Sequence, residues 1–65
     1  MNTNEINKIL CPVCGKEAVR EYDICPVCNW ENDLIQLERP DLGGGANAMS
    51  LNEAREAYLK GVPVK

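Results

Sequence analysis

Two identical clips, Cys11-Pro12-Val13-Cys14 and Cys25-Pro26-Val27-Cys28, hold every cysteine of this 65-residue chain. Ten residues, Gly15 to Ile24, separate them. A Cys-x-x-Cys clip bends the backbone so that both sulfurs can aim at one point. Two clips a short spacer apart are a strong signal for a tetrahedral four-sulfur metal site. Proline in the second place pre-sets φ for the bend. The residue after each second cysteine must tolerate φ > 0, which turns nearby amides toward the sulfurs. Gly15 and Asn29 occupy those places, and they are the residue types best suited to the left-handed region.

The paired pattern is similar to the rubredoxin-type knuckle of zinc ribbons, and it designates Cys11, Cys14, Cys25 and Cys28 as ligands of one Zn2+ per chain. Three other uses of the cysteines compete. Two disulfides suit a secreted protein, but the start "MNTNEINKIL" lacks the basic and long apolar parts of an export signal. A thioredoxin-like redox pair needs a larger α/β scaffold and explains only one clip. Iron also accepts four thiolates, although the aromatic-rich core of a rubredoxin is missing here. A catalytic zinc keeps one position open for water. With four thiolates and no histidine, the expectation is a closed structural site and no enzyme.

The rest of the composition narrows the partners. Formal net charge is −3, and four thiolates with one divalent ion would take it to −5. Seven Lys and Arg are interleaved with ten Asp and Glu, so a phosphate-binding surface is not expected. No apolar run approaches the roughly 20 residues that span a bilayer. The chain reads as cytoplasmic, with no membrane partner and with nucleic acid disfavoured as one. A chain this short buries a thin core and needs a staple. Phe is absent, and Tyr22, Trp30 and Tyr58 are the aromatic residues.

Along the chain, Ala18-Val19-Arg20 and Tyr22-Asp23-Ile24 read as a short hairpin turning near Arg20-Glu21. Leu34, Ile35 and Leu37 suit a turn of helix or an edge strand, ended by Pro40. Gly43-Gly44-Gly45 reads as a flexible loop, or less readily as a backbone surface for a ligand, with Asn47 capping or turning it. Ser50-Leu51-Asn52-Glu53 matches the capping box, with Met49 before it and Ala54 after it as a weak hydrophobic staple. Leu51, Ala54, Tyr58 and Leu59 form the apolar face of the helix that follows. Gly61 and Pro63 stop it. Glu56 and Lys60 make a favourable i,i+4 pair.

Tyr22–Asp33, "YDICPVCNWEND", and Gly44–Tyr58, "GGANAMSLNEAREAY", resemble the cysteine-rich CPCC family of small bacterial domains. The likeness runs from about Cys11 to Gly61. The resemblance implies the same four ligands, and it implies a fold more than an activity. One departure stands out: the family's extra cysteine within the first clip is Val13 here. The expected fold is a small metal-stabilised α+β domain. It has two knuckles, a short hairpin, the glycine loop and a C-terminal helix packed on the metal module. Residues 1–8 are expected to be a flexible N-terminus, 9–61 one domain, and 62–65 a tail.

Trp30 is expected either to cover the metal cluster against the helix or to stand exposed as an anchor for a partner. Arg55 either pairs with Glu31 or Asp33 or faces solvent. The acidic residues Glu31, Asp33, Glu38 and Asp41 read as solvated, with a basic partner protein as the alternative. The leading function is a zinc-stabilised protein-interaction or regulatory module. The alternatives are a nucleic-acid-binding zinc ribbon and a rubredoxin-like iron electron carrier.

Overall fold

In each clip the chain reverses on itself, and that reversal sets the architecture. The structure, a computed structural model, describes residues 8–65. The expected flexible segment 1–8 therefore lies, except for Lys8, outside the described residues. Gly15 donates its N–H to the Cys11 carbonyl at 2.9 Å, and Asn29 repeats the bond to Cys25 at 2.8 Å. Gly15 has φ +67° and Asn29 φ +69°, as their sequence positions require.

The reversal at the first clip brings β1 (Ile9–Leu10) antiparallel to β2 (Ala18–Val19), with Ile9 opposite Val19 and Leu10 opposite Ala18. At the second clip, Ile24 bridges Glu31 in the same antiparallel sense. This corrects the expected hairpin. Ala18 and Val19 do pair, but with the strand before the clip and not with Tyr22–Ile24. The cause is the segment between the clips. Tyr22 adopts φ +59°. The Asp23 carboxylate accepts the Arg20 N–H at 3.1 Å, and Asp23 donates its own N–H to the Arg20 carbonyl at 3.2 Å. That turn folds back on Asn32, whose side-chain amide donates to the Arg20 carbonyl at 3.0 Å. A left-handed residue inside a turn cannot continue a β ladder.

The apolar run after Trp30 becomes helix α1 (Leu34–Glu38). Asp33 caps it, accepting from Ile35 at 2.9 Å and Gln36 at 3.4 Å. The same carboxylate accepts the Ala46 N–H at 2.9 Å. Asp33 is thus buried, not solvated as expected. Its short side chain serves two backbone segments at once.

The glycine loop is built around Gln36, which is fully buried. Its side-chain NH2 donates to the carbonyls of Leu42, Asn47 and Met49 at 3.0, 3.2 and 3.0 Å. Its carbonyl accepts from the backbone and side chain of Asn47 at 3.1 and 2.9 Å. The backbone at Gly45 passes so close that a Cβ there would meet Asp33 Oδ2 at 2.8 Å and Gln36 Cδ at 2.9 Å. Glycine is required at that position by contact. The loop is therefore a strap over Asp33 and Gln36.

Helix α2 (Leu51–Lys60) carries both halves of the expected capping box and ends at Gly61 in the left-handed region, φ +73°. Leu51, Ala54 and Ala57 are buried along one stripe, and Tyr58 is half-buried beside them. The small Ala side chains let the helix backbone approach the clips closely. Leu59 is 84% exposed, contrary to its expected place on the apolar face. At 3.6 residues per turn it lies beyond Leu51, away from Ala54 and Ala57. The Glu56–Lys60 pair forms at 3.7 Å, but both side chains are largely exposed, so its contribution is small. After Gly61 the chain turns back: Met49 donates its N–H to the Lys65 carbonyl at 2.9 Å, and Val64 packs against the core. Among the described residues no helix is long and apolar enough to cross a membrane.

Backbone amides hold the Asp33 carboxyl below the usual carboxylate range. The Ala46 N–H contributes most, burial opposes it, and the Ile35 and Gln36 amides add to it. A depressed folded-state pKa gives stability that is present above the unfolded value, about 3.9, and is lost as pH falls through the folded one. Asp33→Asn should therefore cost of order 1 kcal/mol at neutral pH. The gap between variant and parent in urea-unfolding midpoints should narrow below about pH 4. Comparing the two chains removes any acid effect common to both.

Candidate metal centre

The two clips face each other at the centre of the core. All four cysteine Sγ atoms lie within 4.8 Å of one another. Cys11 and Cys28 approach to 3.5 Å, and Cys14 and Cys25 to 3.7 Å. A disulfide needs about 2.05 Å, so all four are free thiols. In a regular tetrahedron with sulfurs about 2.3 Å from a central ion, neighbouring sulfurs stand about 3.8 Å apart. The two close pairs stand near that figure, and the whole set stays within 4.8 Å. Donor type, number and spacing all fit one tetrahedral ion, so the four cysteines could hold a metal.

Each clip also presents backbone N–H groups to its sulfurs, with the same offset. The Lys16 amide donates to Cys14 Sγ at 3.5 Å, and the Trp30 amide serves Cys28 in the corresponding place. These bonds compete with burial in setting thiol acidity. Burial pushes the Cys28 thiol well up, against the Trp30 amide. It also raises Cys14, against the Lys16 amide. At Cys25 burial again opposes ionisation. The amides of Cys28 and Val27 and the neighbouring thiols Cys14 and Cys11 outweigh it, and the net shift is downward. Buried thiolates without a cation are costly, and a bound cation reverses that balance.

The surroundings are apolar. Cys11, Cys25 and Cys28 belong to one buried cluster with Val19, Trp30, Leu51 and Ala54. Trp30 is fully buried, which decides between its two expected roles: it is a core residue and not an exposed anchor. Tyr58, Met49 and Val64 pack against the same cluster. Arg55 pairs with neither Glu31 nor Asp33. Its Nε donates to the Pro12 carbonyl at 2.8 Å, tying helix α2 directly to the first clip.

Two residues essential to this arrangement gave little sign of it in the sequence. Gln36 looked like one polar residue in an apolar run. Asn32 carried no motif. Asn47 was expected to serve its own loop, and it also reaches across to the second clip. It donates to the Glu31 carbonyl at 2.8 Å and accepts the Glu31 N–H at 3.0 Å. In effect it acts as a one-residue third strand beside the Ile24–Glu31 bridge.

A family model described as cysteine-rich CPCC matches residues 9–61. The chain belongs to the cysteine-rich CPCC family. No significantly similar sequence was found among curated proteins. In this CPCC domain an open cleft of about 330 Å³ runs between the second clip and the C-terminal segment. Cys28 and Tyr58 are its ionisable lining groups, beside Val27, Asn29, Val62 and Val64. That lining offers no acid–base pair.

Two variants probe the clips. Asn29→Gly should be neutral or slightly stabilising, whereas Asn29→Val should cost on the order of 1–2 kcal/mol, because a β-branched residue is strained at positive φ. Equal thermal stability of the two would show that the second clip does not need the left-handed residue. Arg55→Ala should lower stability by of order 1 kcal/mol and speed metal loss to a competing chelator. Arg55→Lys should not restore retention, since lysine lacks the planar Nε donor.

Proposed function

We propose that this domain is a zinc-stabilised interaction or regulatory module. In this reading Cys11, Cys14, Cys25 and Cys28 hold one Zn2+ in two rubredoxin-type knuckles, and the chain has no catalytic centre. The observation that carries the reading is the placement of the four sulfurs, together within 4.8 Å and with three of them buried in the hydrophobic core. An ion there closes the core, and four thiolates leave a tetrahedral zinc no position for water. The absence of histidine and of an acid–base pair in the cleft also favours a structural role.

Another protein is the proposed partner. Net charge −3 disfavours nucleic acid. Exposed Glu38 and Asp41 and half-exposed Glu31 supply acidic groups for a basic partner surface. Iron remains the second reading, because four thiolates accept it too. Metal analysis of protein from its natural source separates zinc from iron, and a pull-down from the same source tests the partner.

Structural zinc contributes roughly 10–16 kcal/mol of apparent binding free energy, more than the whole stability of many domains. Chelation, or Cys25→Ser, should therefore abolish the helical circular dichroism of α2 together with the clips. An unchanged helix in metal-free protein would refute the structural role.

A further inference from the structure

One cysteine of the cluster is less covered than the other three. Cys14 is part-exposed, whereas Cys11, Cys25 and Cys28 are buried. The neighbouring Gly15 is exposed, and a Cβ built on it meets nothing within 4 Å. Cys28 lines the cleft described above but is buried, so the most exposed of the four cysteines is Cys14. Behind it stands Cys25 Sγ at 3.7 Å, on the other clip. The remaining pair, Cys11 and Cys28, also lies between clips, at 3.5 Å.

We propose that Cys14 is a hydroperoxide-sensitive site, and that oxidation joins the two clips crosswise, Cys14 to Cys25 and then Cys11 to Cys28. This goes beyond the structural role proposed above and holds for either zinc or iron as the resident ion. In the first step the Cys14 thiolate attacks one peroxide oxygen. An S–O bond forms, the O–O bond breaks, and hydroxide leaves. In the second, the Cys25 thiolate attacks the Cys14 sulfenic acid. The S–S bond forms and a second hydroxide leaves. Two thiolates lose two electrons, the peroxide accepts them, and two protons convert the hydroxides to water; a second peroxide is consumed by the same two steps to join Cys11 to Cys28.

The crosswise pairing has a structural consequence. Bonds within each clip would leave the clips unconnected once the ion had gone. A Cys14–Cys25 bond closes the loop from Gly15 to Ile24 and keeps the clips face to face. Oxidation then exchanges an ionic closure of the core for a covalent one, and reduction reverses it.

The test uses the wild-type protein as isolated, its metal content measured first, with hydrogen peroxide added in increments. Cleavage after Lys8, Lys16 and Arg20 puts Cys11 and Cys14 on one peptide and Cys25 and Cys28 on another. Crosswise bonds yield a linked peptide pair, and bonds within clips yield two separate peptides, each lighter by two hydrogens. The expected result is a linked pair whose fragmentation assigns Cys14–Cys25 first, with the ion released in parallel. A dimedone-type trap added with the peroxide should label Cys14 ahead of the other three. Separate intraclip peptides, a first bond at Cys11–Cys28, or labelling spread evenly over all four would overturn the proposal. A chain isolated without metal that still forms Cys14–Cys25 first would support the proposal while refuting the structural-metal reading.

Discussion

Four sulfurs gathered at one point inside an apolar core are the constraint on which the structure depends. Thiolates in such a place repel one another and lose their hydration, which protonation or a cation among them offsets. Everything else in the fold is too short to stand alone. The strands are two residues each, α1 has five residues and α2 has ten. Helices of that length are marginal in water, and isolated two-strand ladders are weaker still. Three segments gain stability by covering the sulfur cluster: β2 through Val19, α2 through Leu51 and Ala54, and the second clip's own exit through Trp30.

A second framework, wholly polar, lies beside the first. Asp33, Gln36, Asn47 and Ser50 are buried, and every one is hydrogen-bonded to backbone. Together they fasten the 42–49 loop to α1, to the second clip and to the start of α2. Such a network stabilises only when satisfied, because an unmet buried polar group costs about 1–3 kcal/mol. Trp30 Nε1 and Asn32 Oδ1 are buried without a partner among the described residues. The indole compensates by filling the space between the sulfurs and α2. The polar framework explains why a loop with three glycines is ordered: its carbonyls are consumed by one glutamine, and Gly45 must pass against that glutamine.

Signals confined to a few neighbouring residues were legible. Gly15 and Asn29 are left-handed because the clip geometry demands it locally. Ser50 and Glu53 cap α2 because a capping box is complete within four residues. Pairings across longer separations were not legible. The strand partner of Ala18–Val19 lay before the clip. Arg55 found the Pro12 carbonyl, 43 residues away, in place of the nearby-looking acids. Leu59 was apolar by type but sat past the edge of the buried stripe.

By itself the sequence determined the four candidate ligands, the two turns that aim them, and the bounds of the main helix. Each depends on backbone preferences that a few adjacent side chains settle. Only the tertiary structure decided which cysteine is least buried, which strands close each clip, and that Gln36 and Asn47 organise the glycine loop. Those outcomes depend on where distant backbone carbonyls and amides come to rest once the clips have met. A glutamine's type does not reveal which three carbonyls it will bind, because those acceptors exist as a group only in the folded chain.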